Sequence, residues 1–216
     1  MVRAAGGPIL LSIFCIASPV LAQEPPPKIG PFVVDLHGTV PRYPDTATLA
    51  ASHDLFVAEL PARGLGLHAS AHVYFLRWRQ VTFGFGGEVA ASRARKTPPD
   101  TQTTTTTLRA TEEKFREAGT QLSFNFGTGH GWSYISGGIG KSTWSVIPDG
   151  REAFPSDVAQ LKTLNYGGGA RWFSKTHLAF SFDVRFYAIN PGPPSLTFPG
   201  SPRTTMLVIG AGVSLK

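Results

Sequence analysis

Apolar and polar positions alternate with period two over most of the chain beyond residue 31, the pattern of strands with one apolar face. In Phe32–Val40, Phe32, Val34, Leu36 and Val40 share one face, and Asp35, His37 and Thr39 the other. A second strand is predicted over Gly64–Trp78, where Leu65, Leu67, Ala69, Ala71, Val73 and Phe75 oppose Gly66, His68, Ser70, His72 and Tyr74. After a tight turn at Arg77–Gln80, Val81, Phe83, Phe85, Val89 and Ala91 alternate with Thr82, Gly84, Gly86, Glu88 and Ser92. The fourth, fifth and sixth strands are predicted over Glu117–Phe126, Trp132–Val146 and Leu161–Phe173. The faces of the fifth are ambiguous, because Ile135 and Ile139 oppose Tyr134 and several glycines. The seventh is the clearest: Leu178, Phe180, Phe182, Val184, Phe186 and Ala188 against His177, Ala179, Ser181, Asp183, Arg185 and Tyr187. The eighth covers Thr204–Leu215.

The connections alternate in length. Pro41 to about Ala62, Arg93 to about Arg116, Ile147 to about Ala159 and Asn190–Pro202 are long, polar or Pro/Gly-rich. The second of these carries the run Thr103–Thr107, and its ends are able to prolong the flanking strands. Arg77–Gln80, Gly127–Gly131 and Ser174–Thr176 are tight. A soluble sandwich with crossover connections has no reason to sort its loops by parity. An up-and-down barrel across a membrane does, with long loops outside and short turns on the periplasmic side. Strands of about 9 to 14 residues match a tilted bilayer crossing. The expected fold is therefore all-β, an eight-stranded antiparallel up-and-down transmembrane β-barrel. A soluble ligand-binding barrel would be inverted, with an apolar inside. Here the charged face is small and glycine-rich (Gly84, Gly86, Gly167, Gly169, Gly210, Gly212), which suits a narrow interior. Trp78, Trp132 and Trp172, with Tyr134 and Tyr166, are expected to form interfacial aromatic girdles.

The N-terminus has a different organisation. Arg3 precedes the apolar run Ile9–Val20, and Val20-Leu21-Ala22 places small residues where a signal peptidase cleaves. The run is too short for a membrane-spanning helix, which needs about 20 apolar residues. Residues 1–22 are thus expected to be a secretory signal peptide, 23–30 a Pro-rich leader and 31–216 the outer-membrane barrel domain. Cleavage would remove the only cysteine, Cys15, so neither a disulfide nor thiol chemistry is expected. Only 16% of residues are charged, below the roughly one quarter usual in soluble domains. The composition is also too apolar for a disordered chain.

The segment Gly167-Gly168-Gly169-Ala170-Arg171-Trp172-Phe173, followed by Leu178-Ala179-Phe180-Ser181-Phe182-Asp183-Val184-Arg185, resembles the glycine-rich hairpin of the small bacterial outer-membrane β-barrel proteins of the OmpA/OmpX type. Tyr134-Ile135-Ser136-Gly137-Gly138-Ile139-Gly140 is similarly typical of them. The resemblance implies a location in the bacterial outer membrane, contact with outer-membrane lipid and passage through the barrel-assembly machinery. One departure is the absence of the family's terminal aromatic, an assembly signal: the chain ends Val213-Ser214-Leu215-Lys216. No peptidoglycan-binding domain is expected after the eighth strand.

Eight strands enclose an interior just filled by side chains, so charges there must pair. The inward candidates for a polar lumen network are Asp35, His37, Glu88, Arg171, Asp183 and Arg185, with His68, His72 and Asn125 beside them. Asp183 and Arg185, two apart on one face, either pair directly or each meet a charge on a neighbouring strand: Glu88 and Asp35 are candidate partners for Arg185, and Arg171 for Asp183. A plugged interior with long extracellular loops implies a structural or surface-interaction barrel. The alternatives are a narrow gated porin-like channel and a lipid A-modifying enzyme. The enzyme reading is weak: His177, Ser181 and Asp183 fall on the inward face, away from lipid, and the compact His-x-Ser-Asn arrangement of lipid A deacylases is missing. No catalytic residue, cofactor or metal site is assigned; His68 and His72 lie about 13 Å apart on one strand. Despite a pI near 9.7, the cations Arg93, Arg95, Lys96, Arg109, Lys114 and Arg116 are scattered through predicted loops, which argues against nucleic acid. The Arg93–Lys96 cluster is a candidate contact for lipopolysaccharide.

Overall fold

A computed structural model describes residues 27–98, 108–196 and 198–216; the expected signal peptide and the Thr103–Thr107 run lie outside them. The strands are β1 (Phe32–Arg42), β2 (Leu65–Trp78), β3 (Val81–Lys96), β4 (Thr111–Thr128), β5 (Gly131–Pro148), β6 (Leu161–Phe173), β7 (Leu178–Ile189) and β8 (Thr204–Leu215). Each pairs antiparallel with its sequence neighbour, and β1 closes on β8 from Val34↔Leu215 to Arg42↔Leu207. Closure pairs the sheet's edge groups, the condition for a strand structure in hydrocarbon. The even connections β2–β3, β4–β5 and β6–β7 are tight and leave from one end. The odd connections are long and leave from the other.

The outer surface is an apolar band. Leu36, Leu67, Val73, Phe85, Leu122, Ile139, Leu164, Phe180 and Ile209 are all exposed. Such a wall on a closed, polar-cored barrel has no stable place in water and matches a bilayer interior. On β2 the alternation slips: a bulge between Tyr74 and Leu76 leaves Phe75 and Leu76 both outward, at 63% and 52% exposure. β5 is unambiguous in three dimensions. Trp132, Tyr134, Ser136, Ser142 and Trp144 are buried, and Ile135 and Ile139 exposed.

The ends of the second long connection do prolong its strands: Thr111–Arg116 belongs to β4, and β3 continues to Lys96. The cross-strand ion pair of Arg93 with Glu112 supports this extension, and Thr111, Glu113 and Phe115 keep the inward alternation. Trp132 and Tyr134 are not girdle residues, since both point into the lumen at 3% and 4% exposure. Trp78, Tyr166 and Trp172 do lie on the outer surface.

The first long connection is not a simple polar loop. It holds α1 (Ala47–Ser52), capped by Thr46, whose Oγ1 accepts from Leu49 N at 3.3 Å, and a 3-10 turn at Val57–Glu59. The third long connection carries α2 (Pro155–Val158).

Phe182 is on the outward face of β7, and an arginine facing the bilayer midplane costs about 2–4 kcal/mol. Phe182→Arg is expected to reduce the heat-modifiable, folded fraction on refolding into lipid, whereas Phe182→Leu keeps it. Equal folded fractions for the two variants would contradict the assignment of this face to lipid.

Candidate functional site

The interior is built in layers. At the end carrying the tight turns, Trp132 stacks on Phe173 with centroids 4.9 Å apart, and Tyr74 meets Trp132 edge-on. The Lys216 ammonium sits over the Phe173 ring at 3.8 Å and donates to the Gly129 carbonyl. This aromatic floor continues into Arg171, whose guanidinium lies 3.8 Å from the Tyr134 ring centroid.

Above the floor lie two ion-pair systems. Arg171 donates two hydrogen bonds to Asp35, Nε at 2.8 Å and Nη2 at 2.6 Å, the fork geometry that suits guanidinium and carboxylate. Asp35 also accepts from Ser70 Oγ at 2.8 Å and Ser214 Oγ at 2.6 Å, so strands β1, β2, β6 and β8 meet at one carboxylate. In the second system Arg185 pairs with Asp183 at 3.1 Å and with Glu88 at 3.1 Å, and donates to Ser136 Oγ. Asp183 accepts from Tyr134 Oη at 2.5 Å, and Glu88 bonds His68 Nε2 at 2.8 Å. All of these groups are buried. Such charges are tolerable only because each guanidinium and carboxylate is paired.

Glycine makes room for this crowd. A Cβ on Gly169 would lie 2.8 Å from Tyr134 Oη, displacing the hydroxyl that reaches Asp183. The glycine-rich inward face of β6 is thus the counterpart of the large side chains it confronts.

The six residues Asp35, His37, Glu88, Arg171, Asp183 and Arg185 all lie in the lumen. Arg185 takes Asp183 and Glu88, both among its expected partners. Arg171 takes Asp35 rather than Asp183. The reason is register: across β6–β7, Arg171 stands opposite Ser181, and Asp183 opposite Gly169. His37 stands opposite His68, their rings stacked at 5.7 Å. Among the described residues, no group of three or more His, Cys, Asp or Glu is placed to hold a metal ion.

The hydrolase arrangement weighed above does not form. His177 is exposed and its Nδ1 meets the Lys216 carbonyl. Ser181 Oγ instead meets His37 Nε2 at 2.8 Å. His37 Nδ1 has no hydrogen-bond partner among the described residues, so no acid orients the ring. The pair is sealed inside the barrel, whereas nucleophilic catalysis needs an oriented base and an accessible substrate.

A third layer was not anticipated. Beyond Gln121, Asn165 and Glu117, which are linked by hydrogen bonds of 3.1 and 3.2 Å, the lumen turns apolar. Phe115, Trp144, Ile189, Met206 and Val208 from the strands pack with Leu49, Ala50, Leu55 and Leu60 of the first connection. Polar clips hold this stopper. His53 Nε2, at the end of α1, bonds Asp157 of α2 at 3.0 Å, and Asp157 accepts from Val146 N at 3.1 Å. Glu59 accepts from Phe56 N and Arg109 N. The stopper's only trace in the sequence is the presence of Leu49, Leu55 and Leu60 in a loop otherwise rich in Pro, Asp and Thr, with no period to mark them.

No family model matches the chain, and no curated protein matches it in sequence. Among solved structures, the barrel is similar to Neisserial surface protein A, with a TM-score of 0.58 and 15% identity over 87% of this chain and 97% of that one. It is also similar to Ail, the attachment invasion locus protein of Yersinia pestis, with a TM-score of 0.50 and 12% identity over 85% of this chain and 97% of that one. At these identities the likeness is one of fold: the chain has the architecture of small outer-membrane barrels.

Removing Arg185 would leave Asp183 and Glu88 buried without their shared cation, and breaking a buried pair costs about 3–5 kcal/mol. Arg185→Ala is expected to lower the urea midpoint of the lipid-inserted barrel clearly, and Ser181→Ala to change it little. An unchanged midpoint for Arg185→Ala would show that the guanidinium contributes nothing to the network.

Proposed function

We propose that the protein is an outer-membrane surface barrel whose lumen is closed and whose working surface is the loop end. The observation that carries this reading is the stopper. Loop residues Leu49, Leu55 and Leu60 fill the mouth above a network of paired buried charges. A conducting pore needs a continuous hydrated path. Here the polar layer is capped by Trp144 and Phe115, both 2% exposed or less. The porin-like alternative would require this apolar layer to leave. The lipid A-modifying alternative lacks an oriented nucleophile reachable from the lipid side.

Closing the barrel leaves the four long connections, 43–64, 97–110, 149–160 and 190–203, as the variable part of the molecule. At their described residues the first three are linked: His53 to Asp157, Glu59 to Arg109, and Arg151 to Asp54 at 3.0 Å. Phe56, Val57, Val158 and Leu196 remain exposed there. A pre-ordered, partly apolar loop platform suits recognition of a surface or macromolecule. Solved proteins of this architecture include a Neisserial surface protein and the attachment invasion locus protein of Yersinia pestis.

The orientation is tested on intact cells. An epitope inserted in the Thr103–Thr107 run is expected to bind antibody without permeabilisation, and one in Ser174–Thr176 only after it. The reverse labelling would place the loops in the periplasm and end the surface reading.

A further inference from the structure

The outer surface changes character towards the loop end. On six adjoining strands the apolar outward positions give way there to a cation: Val40 to Arg42, Leu65 to Arg63, Ala91 to Arg93, Ala118 to Arg116, Ile139 to Lys141 and Leu164 to Lys162. All six cations are exposed. Register sets them side by side. Arg42 bridges Arg63, and Arg93 stands opposite Lys114. Lys141 stands opposite both Ala118 and Lys162, which puts Arg116 one outward step from Lys141. Like charges directly opposite one another destabilise a sheet, so this belt is held against a folding cost.

Part of the belt is internally neutralised. Arg93 and Lys114 share Glu112, and Arg95 pairs with Asp149 at 2.6 Å. The Arg93–Lys96 cluster singled out from sequence is therefore largely occupied. Arg116, Lys141 and Lys162 differ: among the described residues none has a carboxylate within 4.0 Å. Next to them lies an open trough of about 640 Å³ between β4 and β5, lined by Ala118, Thr120, Ile139, Gly140 and the buried Glu117 and edged by Arg116 and Lys141. Ala118, Thr120 and Gly140 are small residues, and Ile139, 71% exposed, stands up beside them as an apolar wall.

We propose that Arg116, Lys141 and Lys162, with the β4–β5 trough, form a binding site for a phosphorylated glycolipid of the outer leaflet. The inference rests on the outer-membrane reading above, because it requires the loop end to face that leaflet. The three cations lie just beyond the apolar band, at the depth where headgroup phosphates meet hydrocarbon. Arg116 offers a fork that matches a phosphate in two bonds, and the two lysines act as compact point charges. The trough takes an acyl chain that a smooth wall of Leu and Phe would hold off.

The test uses the refolded barrel in detergent, with intact protein–lipid complexes counted by native mass spectrometry. Its probes are bisphosphorylated lipid A, dephosphorylated lipid A, phosphatidylglycerol and inorganic phosphate. The wild type is expected to retain bisphosphorylated lipid A at least about tenfold more tightly than the dephosphorylated form or phosphatidylglycerol, with inorganic phosphate failing to compete, because several cations act together on the headgroup. R116A/K141A/K162A is expected to lose that preference, K141R/K162R to keep it, and R93A to behave as wild type. Equal retention of the phosphorylated and dephosphorylated lipids by the wild type overturns the site. So does equal retention of phosphatidylglycerol, or undiminished preference in the triple variant. Heat-modifiable migration, read in parallel, separates the two levels. A wild type that never inserts into lipid defeats the outer-membrane reading itself, whereas an inserted barrel without lipid preference defeats only this site.

Discussion

Two buried guanidiniums govern the interior. Arg171 and Arg185 are each 2% exposed, in a tube where a lone charge would be prohibitively costly. Their neutralisation dictates much else. Asp35 must reach Arg171 from the opposite side of the lumen, and Asp183 and Glu88 must converge on Arg185. Ser70, Ser214, Ser136, Tyr134 and His68 add further hydrogen bonds to these groups, while Glu88 Oε1, Arg171 Nη1 and Arg185 Nη1 have no partner among the described residues. Glycines at 167 and 169 keep the β6 wall back so that these groups fit. Because the partners come from β1, β3, β6 and β7, the network ties the whole circumference together rather than one hairpin.

The outside obeys a separate constraint. A closed antiparallel sheet leaves no unpaired edge for hydrocarbon, and the outward positions need only be apolar. They are correspondingly permissive: valine, leucine, phenylalanine and alanine follow one another without a fixed order. The bulge at Tyr74/Leu76 breaks the alternation on β2 yet still presents Phe75 and Leu76 outward. The precise chemistry is inside and at the loop end, where the apolar stopper and the basic belt begin.

Much of the architecture was legible in the sequence because period-two alternation and loop parity are local signals. β6 and β8 were bounded correctly by pattern alone, and the lumen placement of Asp35, Glu88, Asp183 and Arg185 follows from parity on their own strands. What escaped needed information carried between strands. The partner of Arg171 depends on a register that places it opposite Ser181, which no single strand specifies. Trp132 and Tyr134 were read as girdle residues because aromatic identity and a position near a strand end say nothing about which side they face. The stopper was missed because Leu49, Leu55 and Leu60 carry no strand period, and a short helix in a Pro-containing loop is visible only once its apolar side finds Phe115 and Trp144.

The central claim is that side chains close the barrel along its length, by charge pairs in the middle and by an apolar layer at the mouth. Conductance of the purified barrel in planar bilayers measures this directly. The account predicts a silent membrane for the wild type across a range of voltages and salt concentrations, with protein incorporation verified independently. Steady ohmic steps from the wild type would mean that a hydrated path runs through the lumen, and would contradict it.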